Sequence, residues 1–232
     1  MSRDCCTPDY DAFFNDDEAR RDLLEYRAKG PDGTTRRLRD ALVAEGVQGA
    51  TLLDVGGGVG AMQLELLAAG VASAVDVDAS APYLQVAEAE ARDRGLADRV
   101  TYLHGDFVQM ADQVAAADVV TLHRVICCYA DVDGLVSRSA ERARRLYGLV
   151  YPVDRWWTRL AFRLGNLFCR IARKGFQVRV HPTAVVDRLL RDAGLEPVST
   201  HAGWVWQTAL YRRPDQSPER GGGGSYSTVP TG

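Results

Sequence analysis

The chain has 232 residues, 46% of them hydrophobic and 25% charged. That composition excludes a disordered chain, a collagen and a disulfide miniprotein, and fits one ordinary domain with appendages. With 28 basic against 31 acidic side chains the net charge is −3, so no nucleic-acid partner is expected.

No run of 18 apolar residues occurs, so no transmembrane segment is expected. The opening stretch Met1 to Asp11 is polar and reads as no export signal. The cysteines are Cys5, Cys6, Cys127, Cys128 and Cys169, an odd number with two vicinal pairs and no CxxC. Reduced thiols in a cytoplasm are therefore expected, and no metal site.

Residues 1–46 read as an N-terminal helical cap. Asp17 to Lys29 and Thr34 to Glu45 have helical spacing, and Pro31, Asp32 and Gly33 form a turn between them. From 47 to 212 the pattern is that of a ligand-binding α/β domain. Expected strands are Thr51 to Val55, Ala72 to Asp78, Arg99 to Leu103, Asp118 to Leu122 and Leu146 to Tyr151. Expected helices between them are Ala61 to Ala69, Pro82 to Arg94, a short one at 108–115, and Val132 to Arg145. Such alternation means βαβ units and a Rossmann-like, mostly parallel sheet with helices on both faces. After Pro152 a helical insert is expected over about 154–180, then a helix from Pro182 to Ala193. Leu195 to His201 and Trp204 to Tyr211 follow as a hairpin. Residues 213–232, with the GGGGS of Gly221 to Ser225, read as a disordered tail.

The most informative segment is Leu52-Leu-Asp-Val-Gly-Gly-Gly-Val-Gly60, between a strand and a helix. Glycines there let the backbone turn sharply and approach a ligand closely. Gly56, Gly58 and Ala61 satisfy GxGxxA, which also suits a pyrophosphate and keeps an NAD-linked oxidoreductase as an alternative. Asp54, two positions before the first glycine, suits a ligand with an ammonium group instead. Asp78 ends the second strand, followed by Ala79, and can accept both hydroxyls of a ribose; Asp76 is the runner-up. Asp106 ends the third strand and can accept from an adenine amino group, with Phe107 beside the ring.

With these residues the sequence resembles the class I S-adenosylmethionine-dependent methyltransferases over about 48–151. The resemblance implies a seven-stranded sheet with a C-terminal antiparallel hairpin strand, and S-adenosyl-L-methionine as cofactor. It implies cofactor contacts from Asp54, Gly56, Gly57, Gly58, Gly60, Asp78, Ala79, Asp106 and Phe107. His123 falls where family members often carry Asn or Asp at the end of the fourth strand. It is a candidate general base, or a group that only hydrogen-bonds cofactor or backbone. Cys127 and Cys128 replace a His-His pair, and either bind a soft metal or metalloid together with Cys5 and Cys6 or pack as small buried hydrophobes, the reading we favour.

Segment 138–179 holds 11 basic and 2 acidic residues, and contains Tyr151, Arg155 and Trp156. An aromatic, arginine-rich cap suits a large planar or anionic small molecule, and leaves a peripheral membrane contact open. The arrangement is loosely similar to the magnesium-protoporphyrin O-methyltransferases, which esterify a propionate. Cys127, Tyr129, Tyr151, Arg155, Trp156 and Tyr26 are the candidate substrate contacts. The expected activity is methyl transfer to a small-molecule acceptor, preferably at oxygen; a non-catalytic cofactor-binding module is the other alternative. Acceptor and oligomeric state are not legible.

Overall fold

The computed structural model describes residues 14–171 and 177–214, without the side chains of residues 168, 170 and 171. The chain starts with α1 (Asp16–Lys29) and α2 (Gly33–Ala44). Each is opened by a side chain that accepts the free N–H groups of the first turn, Asn15 for α1 and Asp32 for α2. There follow β1 (Thr51–Val55), α3 (Ala61–Ala68), β2 (Ser73–Asp78), α4 (Ala81–Asp93) and β3 (Val100–His104). After single helical turns at 107–113 come β4 (Ala117–His123), α5 (Val132–Glu141), β5 (Ala143–Pro152) and α6 (Trp156–Ile171). The chain closes with α7 (Thr183–Asp192), β6 (Glu196–Ala202) and β7 (Trp206–Arg212).

The seven strands form one sheet in the order β3-β2-β1-β4-β5-β7-β6. All pairings from β3 to β5 are parallel, and β7 runs antiparallel to both β5 and β6. Because side chains alternate along a strand, each strand feeds two cores. Leu52, Val119, Leu146 and Val150 join Leu38, Leu42, Met62 and Leu66 on one face. Leu53, Val120, Leu122, Tyr147 and Leu149 join Leu135, Val136, Val186 and Leu190 on the other. Burial on both faces explains why the strands read as continuous apolar runs. The helical pair α1–α2 packs into the first of these cores, with Leu38 and Leu42 fully buried.

Two expectations shift. The helix expected to reach Arg145 stops at Glu141, and β5 starts at Ala143, where it pairs with Ala117 of β4. Tertiary pairing overrides the helix propensity of the arginines there. The short helix expected at 108–115 is split into one α turn at Phe107–Met110 and a tighter one at Ala111–Gln113. The tail from 215, with its glycine run, lies outside the described residues, as do Cys5 and Cys6.

Candidate active site

The reversal of strand order lies between β1 and β4, and the glycine loop stands there at the carboxyl end of β1. This crevice is where an open α/β sheet binds ligands. Gly56 has φ 68°, and a Cβ on it would stand 2.5 Å from Val125 Cγ2. A Cβ on Gly57 would stand 2.5 Å from a carboxylate oxygen of Asp76. Only glycine lets the loop settle this close to β2 and to the end of β4.

Two hollows meet at the loop. One, of about 370 Å³, is lined by Gly56, Gly58, Asp78, Ala79, Asp106, Phe107 and His123. Cys127, Cys128, Tyr129, Phe162, Val178 and Trp206 complete its wall. The other, of about 670 Å³, lies toward α1 and α2 and is lined by Tyr26, Asp32, Thr35 and Gly56 to Val59 among others. Gly56, Gly58, His123 and Arg124 face both.

Three acids gather behind and beside the loop. Asp78 lies at the cavity wall, where its carboxylate accepts from Gly58 N at 3.0 Å and Ser80 N at 2.8 Å. Asp76 is fully buried, accepts from Gln63 Nε2 at 2.9 Å and from Gly57 N at 3.3 Å, and does not reach the wall. Asp54 is also fully buried and off the wall; Thr121 Oγ1 donates to its Oδ1 at 2.7 Å. Its Oδ2 has no hydrogen-bond partner among the described residues. Burial pushes the Asp54 carboxyl up to about 7, and the Asp78 charge adds to the rise. Burial, then the charges of Asp54 and Asp78, hold Asp76 well above the usual carboxylate range, and burial raises Asp78 too. A cluster of buried acids with an orphaned oxygen favours a cation on the other side of the loop. A ligand carrying an ammonium group fits this; a pyrophosphate does not.

Asp106 accepts from Val108 N at 2.9 Å and from the Tyr129 hydroxyl at 2.7 Å to each oxygen. Tyr129, expected among the substrate contacts, is therefore joined to the acid on the cofactor side. Cys127 and Cys128 both line the cavity, with sulfurs 3.6 Å apart. The hydrogen bond shared with Cys127, and then burial, raise the Cys128 thiol well above its ordinary value. A Cys128 thiol raised in this way suits packing better than metal ligation, and the described residues hold no metal-binding cluster.

His123 sits at the end of β4 with its Nε2 3.1 Å from the hydroxyls of Thr34 and Thr35. Burial, with Arg124 beside it, pushes its pKa down to about 4. The imidazole is neutral at pH 7, and the α2 hydroxyls fix its orientation.

Three expected substrate contacts stand elsewhere. Tyr151 is 1% exposed and belongs to the core, because β5 turns it onto the α7 face. Arg155 stacks on Trp157 at 5.0 Å, and Trp156 points into solvent; neither lines the cavity. Tyr26 lines the second hollow only, and its hydroxyl donates to Glu65 at 3.0 Å.

Arg124 was not singled out in the sequence. It has φ 63° and faces both hollows. Its guanidinium pairs with Asp32 at 2.9 Å, donates to Thr34 at 3.1 Å and lies over the Trp206 ring at 4.7 Å. Positive φ at a non-glycine residue is a strained backbone that clusters at functional sites. Phe162, Val178 and Trp206 were missed as wall residues because they come from the far end of the chain.

Residues 53–147 match a family model described as a methyltransferase domain. No curated protein matches the sequence. Among solved structures, the magnesium protoporphyrin IX methyltransferase ChlM of Synechocystis PCC 6803, with bound SAH, is 20% identical with a TM-score of 0.70. That match covers 87% of this chain and 97% of the other. The mitomycin 7-O-methyltransferase MmcR is 22% identical with a TM-score of 0.61, over 89% of this chain and 61% of that one. The [4+2]-cyclase SpnF is 20% identical with a TM-score of 0.57, over 77% and 81%. Residues 53–147 of the chain thus match a methyltransferase domain, set in the Rossmann-like fold that it shares with these structures.

Proposed function

We propose that this protein transfers the methyl group of S-adenosyl-L-methionine to an oxygen of a small-molecule acceptor. The observation that carries the cofactor reading is the buried acid cluster behind the glycine loop, with the orphaned oxygen of Asp54. Asp78 and Ala79 are assigned to the ribose, Asp106 and Phe107 to the adenine, and Gly56 to Gly60 to the amino-acid end. Bound there, the cofactor supplies a methyl already activated by its positive sulfur.

The residues of the chain then have three tasks. They hold the acceptor in line with the C–S bond, exclude water, and take up a proton only where the acceptor carries one. In the displacement an acceptor oxygen lone pair forms the new C–O bond while the C–S bond breaks to the sulfur. A carboxylate acceptor is left as a neutral ester, and no proton moves. His123, with its pKa near 4 and its Nε2 engaged by Thr34 and Thr35, suits a positioning role better than that of a base. A carboxylate acceptor agrees with that poverty in bases. The magnesium protoporphyrin enzyme of like fold supports a large planar acceptor, and the apolar wall of Phe162, Val178 and Trp206 suits one. We assign the reaction to the methyltransferases acting on oxygen.

The cyclase of the same fold supports a second reading, a cofactor-binding protein that performs no methyl transfer. A radiolabelled methyl-transfer screen against cell extract, followed by mass spectrometry of the labelled product, separates them. A labelled small molecule is expected. Tight cofactor binding with no label transferred to any fraction would favour the second reading.

A further inference from the structure

Helix α6 has two unlike faces. Inward, Thr158 is buried, Phe162 lines the cavity, and Asn166 exchanges hydrogen bonds of 2.7 and 2.9 Å with Val178. Outward, Trp156, Leu160, Leu164 and Leu167 are 72, 48, 60 and 48% exposed. Their spacing of four, four and three places them on one row of the helix. The turn between β6 and β7 extends the row with Trp204, 78% exposed, and Val205. It is tied to α6 by the Trp157 indole, which donates to the Trp204 carbonyl at 3.3 Å. A contiguous apolar surface of this kind marks an interaction site.

Charge selects the occupant. Arg155, Arg159 and Arg163 each directly precede a member of the row, and so border it along one side. Arg159 pairs with Asp154, while Arg163 has no acidic partner among the described residues. From 155 to 186 the sequence contains Arg155, Arg159, Arg163, Arg170, Arg173, Lys174 and Arg179, and no Asp or Glu, in a chain of net charge −3. A second copy presenting the same surface would bring Arg155, Arg159 and Arg163 up against their own like charges. An anionic lipid surface attracts them, and arginine stems can lie along the apolar row while their heads reach phosphate. The 4 tryptophans of the chain, Trp156, Trp157, Trp204 and Trp206, all stand at this corner, and indole favours the membrane–water boundary. No described helix is long and apolar enough to cross a membrane, so α6 is suited to lie in the boundary plane.

We propose that α6 and the β6–β7 turn form a docking surface for an anionic phospholipid membrane, with the leucine row and Trp204 entering the headgroup boundary. The test is sedimentation of the full chain with vesicles of phosphatidylcholine, alone or mixed with phosphatidylglycerol. The chain should pellet with the mixed vesicles, lose that binding at high salt, and show a blue-shifted tryptophan emission when bound. Leu164→Asp and Trp204→Asp should each weaken the binding on the order of tenfold, since each places a charge in the apolar row. Both residues are exposed and off the cavity wall, so the thermal shift produced by S-adenosylhomocysteine should be unchanged in both variants. Absence of vesicle binding would overturn the proposal, as would binding that neither variant weakens. A self-association that Leu164→Asp abolishes, with no vesicle binding, would reassign the surface to a second copy of the chain.

Discussion

Asp78 combines two duties in one carboxylate: it anchors the Gly58 and Ser80 amides and still faces the cavity. Charge-assisted hydrogen bonds to ribose hydroxyls would be lost in Asp78→Ala, so affinity for S-adenosylhomocysteine should fall on the order of tenfold or more by calorimetry. Unchanged affinity would remove Asp78 from the site. Asp54 gives a pH dependence. Its folded pKa of about 7 lies above the ordinary value of 3.8, so the folded chain holds a proton that the unfolded chain releases. This group's contribution to stability is thus fully present below its unfolded pKa and is lost as pH rises through about 7. A bound ammonium favours the carboxylate, so binding below pH 7 expels a proton. Affinity for S-adenosylhomocysteine should therefore climb between about pH 6 and 8, by up to about tenfold, with proton release visible in buffers of different ionisation enthalpy. Affinity that is flat or falls over this range would disconnect the acid cluster from the ligand. The acids and glycines of the site were legible because their chemistry depends on spacing along a strand–loop–helix unit. Arg124 was not, because neither a positive φ nor a stacked Trp206 leaves a mark on local sequence.

Among the elements, the residue that follows β7 ties three neighbours together with one side chain. Arg213 donates to the carbonyls of Ala143 at 3.1 Å, Ala193 at 2.7 Å and Ala140 at 3.1 Å. These belong to β5, to the last turn of α5, where the Ala140 carbonyl also accepts from Arg142 N, and to the C-cap of α7. Arg213→Met should cost about 2 kcal/mol in denaturant unfolding, with cofactor affinity intact. A loss below about 0.5 kcal/mol would show that water replaces the guanidinium at these carbonyls. Every strand expected from the sequence is present; β1, β4 and β5 write their burial on both faces into an apolar run, whereas β6 is exposed along its length. Ends are less visible. Arg144 and Arg145 suit a helix locally, and only the pairing of Ala143 and Leu146 with β4 on either side of them, with Arg145 O accepting from Arg213 N at 2.8 Å, makes them strand. The exposure of Trp156, like the burial of Tyr151, depends on which neighbour covers the face, and that is set by distant chain.

Across the whole molecule the charge is divided. Buried carboxylates gather behind the glycine loop, while the capping helix and the segment after it carry seven cations and no acid from 155 to 186. The cavity runs from Asp78 and Asp106 on one side to the apolar wall of Phe162, Val178 and Trp206 on the other. The fold alone serves methyl transfer in some proteins and cyclisation in another, so the ligand must decide. The direct measurement is titration calorimetry of the full chain with S-adenosylhomocysteine and, separately, with NAD. One-to-one binding of S-adenosylhomocysteine in the micromolar range or tighter, lost in Asp78→Ala, and no heat with NAD is the expected result. Tighter binding of NAD, or no binding of S-adenosylhomocysteine, would contradict a sulfonium cofactor against this sheet.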